Sequence, residues 1–112
     1  MSASSKGAAR EHKLRKILEA EGWVITRSAG SHTPVDLWAL RRSLGEQYSD
    51  CLAIQVKGNM GSPYMNFRRE EREELGLLAA KAGATPYLVH WPPHGECKWY
   101  PENQWPETRV AA

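Results

Sequence analysis

Four consecutive segments constrain this chain most: an apolar run CLAIQVK (51–57), a glycine- and proline-bearing loop GNMGSPYMN (58–66), a helical stretch from Phe67 to Ala82, and a second apolar run TPYLVHW (85–91). The two runs are short and rich in β-branched and aromatic residues, which suits strands. The stretch between them, with Asn66 as N-cap and Gly83 as stop, is long enough to act as a crossover helix and permits the flanking strands to lie parallel. Upstream, Gly7 to Glu21 reads as a helix, with Leu14, Ile17 and Leu18 at helical spacing and Gly22 at the C-terminal cap. WVITRSA (23–29) and VDLWAL (35–40) follow as strands with short connections, the pattern of an antiparallel meander. After a PPHGE turn, CKWY (97–100) reads as a short last strand. The expected architecture is α/β, a mixed central sheet with flanking helices in the order α-β-β-β-α-β.

At 112 residues the chain is long enough for one compact domain. We expect a mobile tail over 1–6, a single domain over 7–100 and an irregular tail over 101–112. No apolar run is long enough to span a bilayer, and the first residues lack the apolar centre of a signal peptide, so a cytoplasmic location is expected (the host cytoplasm if the source is viral). Cys51 and Cys97 have no zinc-like spacing with other Cys or His and read as reduced thiols; a bridge between them stays open. Residues 1–42 hold eight Lys/Arg against four Asp/Glu, and residues 43–112 hold seven against nine. That basic excess at the front fits an anionic partner such as nucleic acid, and fits equally a solvated helix face.

The candidate site comes from polar residues that interrupt apolar strands. Asp36 lies between Val35 and Leu37, where strand alternation would give it the face of Trp38 and Leu40. In the third strand Gln55 and Lys57 project from one face, opposite Leu52, Ile54 and Val56. Glu11 shares a helix stripe with Leu14 and Leu18 and would border a cleft between helix and sheet. Each has a plain structural reading: Asp as a turn residue, Lys snorkelling to solvent, Glu facing the helix dipole. Taken together, two carboxylates, an amide oxygen and an ammonium form a set suited to metal-assisted phosphodiester hydrolysis. Mg²⁺ takes hard oxygen ligands; Asp36, Gln55 and the backbone carbonyl of Val56 would supply them, with Mn²⁺ as a substitute. Lys57 would orient water or neutralise charge on phosphate.

With these residues in view, the chain resembles the archaeal-type Holliday junction resolvases, within the restriction-endonuclease-like nucleases. The resemblance rests on KGAAREHKL (6–14), GWVITRSAGS (22–31), VDLWAL (35–40) and IQVKG (54–58); it is dense over 6–58, weaker through the second helix and fourth strand, and absent in the tail. It implies a restriction-endonuclease-like sheet, a Mg²⁺-dependent homodimeric endonuclease, a four-way DNA junction as substrate, and Glu11, Asp36, Gln55 and Lys57 as catalytic residues. The segment Arg27, Ser28 to Ser31 would lie near the scissile phosphate. Lys6, Arg10, Lys13, Arg68 and Arg69 are candidate phosphate contacts, as are Arg41 and Arg42. The chain departs from the family pattern in two places that matter. Gln55 stands where the family has Glu, which removes a charge from the metal site, and the usual Pro-Asp pair is spread into Pro34-Val35-Asp36. Two alternatives remain at this level: a nuclease for other branched or duplex DNA, and a junction-binding protein weakened in cleavage by Gln55.

Overall fold

A computed structural model describes residues 3–28, 33–42 and 49–106. The elements are α1 (Ala3–Ala20), β1 (Val24–Arg27), β2 (Leu37–Arg42), β3 (Ser49–Lys57), α2 (Arg69–Ala82), β4 (Thr85–His90), β5 (Lys98–Pro101) and a 3₁₀ turn (Glu102–Gln104). The strands form a sheet in the order β1-β2-β3-β4-β5. β3 and β4 run parallel, joined through α2, and the other neighbours are antiparallel. The α/β reading and the parallel crossover thus stand.

Strand alternation splits the core into two layers. On one face, Ile25, Leu37, Ala39, Ile54 and Val89 pack against Leu14 and Leu18 of α1. On the other, Ala53 and Leu88 pack with Phe67 and with Leu75 and Ala79 of α2. β3 is central and apolar on both faces because a helix covers each of them. Gly22 and Gly83 end the two helices with φ of 95° and 68°, a left-handed conformation that costs a residue without Cβ little.

Several boundaries differ from the sequence reading. α1 begins at Ala3, inside the expected tail, since nothing in SSKGAA stops helix propagation. The N-cap of α2 is Arg68 rather than Asn66, and the Glu71 side chain closes the first turn by accepting from the Arg68 N–H. Residues 101–104 are regular, and Trp105 beyond them is anchored. After β5 and the 3₁₀ turn, the Trp105 ring meets Phe67 edge-on at 4.9 Å and donates its Nε1–H to Tyr100 O at 2.9 Å. Aromatic burial, invisible to short-range periodicity, ties this segment to the α2 layer.

β2 begins at Leu37 rather than Val35. Leu37 pairs with Ile54, and the Asp36 N–H also donates to Ile54 O at 2.8 Å. Two residues of one strand thus oppose one of the other, the count that defines a β-bulge. Face alternation ends there. The expectation that Asp36 shares the face of Trp38 and Leu40 is corrected on this ground.

Candidate active site

The bulge places the Asp36 side chain in the plane of the sheet, where the ladder would have continued. Its Oδ2 accepts the Val56 N–H at 2.7 Å, taking over a bond that a backbone carbonyl would otherwise make. The Val56 carbonyl lies on the same side of β3 as its N–H, and so faces the same edge. One residue earlier, Gln55 is only 7% exposed, and its Oε1 is buried with no hydrogen-bond partner among the described residues. One residue later, Lys57 Nζ lies 3.4 Å from Glu71 Oε2. These groups collect at one end of the sheet, where β1, β3 and β4 finish and β2 begins.

Both helices contribute to this end. Glu11 Oε1 of α1 accepts from Arg27 Nε of β1 at 2.7 Å, a short charge-assisted bond. Burial pushes the Asp36 carboxyl up from 3.8 to about 6. The Val56 N–H and Lys57 act in the opposite direction, while repulsion from Glu11 and Glu71 reinforces burial. The in-plane position explains this setting, because Asp36 meets Glu11 from the α1 side and Lys57 and Glu71 from the α2 side. The structure therefore brings Glu11, Asp36, Gln55, Val56 and Lys57 to one neighbourhood.

The donor set fits a hard divalent cation. Among the described residues no cluster of three His, Cys, Asp or Glu is placed to hold a metal, so amide and backbone oxygens have to take part. A buried, unpartnered amide oxygen costs free energy in an otherwise apolar layer, and a cation would remove that cost. An Asp whose charged form burial disfavours would gain in the same way. Three clefts of about 630, 510 and 260 Å³ all lie away from Asp36 and Gln55. The site is an open sheet end, a form that suits an extended polymer better than an engulfed small molecule.

The chain matches the model of the archaeal Holliday junction resolvases (Hjc) over residues 2–110. It belongs to that family. Among solved structures, the Hjc Holliday junction resolvase of the hyperthermophile Archaeoglobus fulgidus superposes with a TM-score of 0.63 at 26% identity, covering 88% of this chain and 74% of that one. Fold and family together make the chain a junction-resolving nuclease and an α/β protein of the Hjc architecture. Metal dependence and branched DNA as partner follow from the family. No helix among the described residues is long and apolar enough to cross a membrane.

The basic residues expected on DNA divide within this resolvase fold. Arg27 is paired with Glu11 and still half exposed at the site. The Ser28 N–H donates to Asp36 O at 3.0 Å, which fixes the bulge from the β1 side. Arg68 and Arg69 lie at the start of α2 beside Glu71; Arg68 is exposed, and Arg69 pairs with Glu73 at 3.2 Å. Lys13 is exposed and lies over the Trp91 ring at 5.8 Å. Lys6 is in α1, and its side chain lies outside the described residues. Ser31 lies outside the described residues. Arg41 and Arg42 sit at the opposite end of β2, where Arg41 stacks 4.1 Å over Trp23 and pairs with Asp50. They are too far along the strand to share the site.

Arg10 has a structural role that the sequence reading did not include. Its Nε donates to Trp91 O at 2.9 Å, and its guanidinium lies directly over Gly58, where any Cβ would run into it. Glycine after Lys57 thus lets α1 bridge the ends of β3 and β4. Gly58→Ala is expected to dislodge Arg10 and cost about 1 kcal/mol, the value of one hydrogen bond. The check is a lower urea midpoint with an unchanged slope.

Glu71, Asn59 and His90 were missed by the sequence reading. The Glu71 signal was an acid three residues after the true N-cap, hidden because the cap was placed at Asn66. His90 is buried and its Nε2 donates to Asn59 O at 2.7 Å, holding the loop after Lys57. No local pattern announces that bond, because its partners are 31 residues apart.

Proposed function

We propose that the chain resolves four-way DNA junctions as a Mg²⁺-dependent homodimer, each protomer hydrolysing one phosphodiester at the site formed by Glu11, Asp36, Gln55, Val56 and Lys57. The observation that supports this best is the buried Oε1 of Gln55, without a partner among the described residues, on the strand whose next residue donates to Asp36. Asp36, Gln55 Oε1 and the Val56 carbonyl would hold the cation. When bound, the cation supplies Lewis-acid polarisation of the phosphate and favours deprotonation of the attacking water.

The remaining work falls to the protein's own groups. Lys57 presents an ammonium beside the cation site and offsets negative charge that develops on the phosphate oxygens. Its contact with Glu71 keeps the long side chain in place before DNA binds. Glu11 orients Arg27, which reaches out from the sheet end toward the DNA backbone. Arg68, Arg69 and Lys13 bring positive charge to this end, so strand binding should weaken as salt rises. Two such sites in a dimer would cut opposed strands without reading sequence. A location in the cytoplasm, or the host cytoplasm if the source is viral, fits this role.

The deciding experiment is the product pattern on a synthetic four-way junction in Mg²⁺. Paired, symmetric nicks that need both the junction and the metal are expected, from a species with the mass of a dimer by light scattering. Equal cleavage of linear duplex would instead favour a general nuclease, and binding without nicks in Mg²⁺ or Mn²⁺ would leave a junction-binding protein. Gln55→Glu should preserve cleavage or raise it at low Mg²⁺, because it restores a charge without changing side-chain length. Complete inactivation of that variant would show that the amide N–H₂ has a role of its own.

A further inference from the structure

Gln55 leaves the cation site with a single carboxylate on its strands, Asp36. A site with one negative charge holds a divalent ion weakly, since each missing charge is worth roughly tenfold or more in affinity at such distances. A second anion therefore has to come from elsewhere in the fold. Glu11, on the α1 side, is held by Arg27 in a 2.7 Å ion pair and is directed toward that arginine. Glu71 is the other carboxylate at this end. It reaches from the first turn of α2 to Lys57 with the looser separation of 3.4 Å, and it is close enough to repel Asp36. Its other oxygen, Oε1, is bound to the Arg68 N–H at 3.1 Å, so the helix cap fixes where Oε2 points. The residue one step before Lys57 on the same strand face is Gln55, buried and with its oxygen unpartnered among the described residues.

We propose that Glu71 supplies the second negative charge of the cation site, taking over from the helix the charge that Gln55 does not carry on the strand. This rests on the cation site argued above and adds a residue to it. Glu71 acts directly or through one water on the ion, and Lys57 shares it in the free protein. The position explains the juxtaposition of a neutral strand residue and a charged helix residue. With Gln55, the charge count on the α2 side stays at one.

The test is metal affinity measured directly, by Mn²⁺ titration followed by electron paramagnetic resonance on the DNA-free protein. Glu71→Gln keeps an oxygen for the Arg68 N–H, so the capping box and folding stability should be retained, which a urea melt checks. We expect Mn²⁺ affinity to fall about tenfold or more in Glu71→Gln. Adding Gln55→Glu to that variant returns the charge to the strand and should bring affinity back to within about threefold of the starting protein. Unchanged affinity in Glu71→Gln overturns the proposal, and so does a loss that Gln55→Glu fails to recover. A starting protein that binds no Mn²⁺ would overturn the metal-site reading itself, which is a separate outcome from either of these.

Discussion

Asp36→Asn should leave four-way junctions uncut while making the metal-free protein more stable at neutral pH. The loss of cleavage should reach about a thousandfold or more, the scale seen when a main electrostatic contact to the reacting group is removed. Stability moves the other way because burial disfavours the Asp36 carboxylate. Its pKa is raised to about 6 in the fold, from 3.8. A raised acid binds its proton more tightly folded than unfolded, so the native state loses stability as pH climbs from about 4 to 6. Below pH 4 both states are protonated and nothing is lost; above 6 the loss is complete. A two-unit difference corresponds to about 3 kcal/mol, and partial contact of the carboxyl with solvent reduces this to about 1–2. Asparagine keeps an oxygen for the Val56 N–H and cannot ionise. The advantage of the variant should therefore open between pH 4 and 6 in EDTA and close again when Mg²⁺ is added to the unsubstituted protein. Urea melts from pH 4 to 8, with and without metal, read this directly. Parallel curves for the two proteins, or normal cleavage by the variant, would sink the assignment.

Phe67→Ala should cost about 3–5 kcal/mol, the range for removing a buried aromatic, and lower Tm by about 15–25 °C in a domain of this size. Phe67 is fully buried and receives the Trp105 ring edge-on. Tyr64 and Tyr100 make a second edge-on pair at 5.7 Å, and the Tyr64 hydroxyl donates to Gln104 O at 3.0 Å. The C-terminal segment therefore closes over the α2 layer like a strap. Trp105→Ala should cost less, since that ring is only partly covered, and the double substitution should cost less than the sum because the two share one contact. Truncation after Pro101 should reproduce the Trp105 loss. An unchanged melting temperature for the truncated chain would show that the strap lies outside the folding unit. A loss of this kind is structural, so calorimetry is the measurement to trust, ahead of cleavage rates.

Much of the architecture could be read locally. Leu14, Ile17 and Leu18 carry helical spacing, CLAIQVK and TPYLVHW carry strand composition, and the helix between the runs has a length that allows a parallel crossover. The site was partly readable too, because Asp36, Gln55 and Lys57 are polar residues on segments otherwise built for a core. Where the reading failed, the cause was a long-range partner. Trp105 looked like part of an irregular tail because nothing near it in sequence reveals Phe67, and the bridge that Arg10 makes to Trp91 over Gly58 is hidden because both are distant along the chain. Glu71 is one of four acids over 70–74, and no helical or strand periodicity separates it from the others.

The amino-acid order by itself determined which residues would be apolar strands, which stretches would be helices and which polar side chains sat against the grain of a core. These properties depend on neighbours within a few positions, which a linear pattern records. Only the tertiary structure decided that Asp36 leaves strand alternation at a bulge and turns into the plane of the sheet, and that α1 and α2 bring Glu11 and Glu71 toward it from opposite faces. Those outcomes depend on where the hydrogen-bonding ladder takes an extra residue and on how two helices pack across it, and both are settled by contacts between residues far apart in the chain.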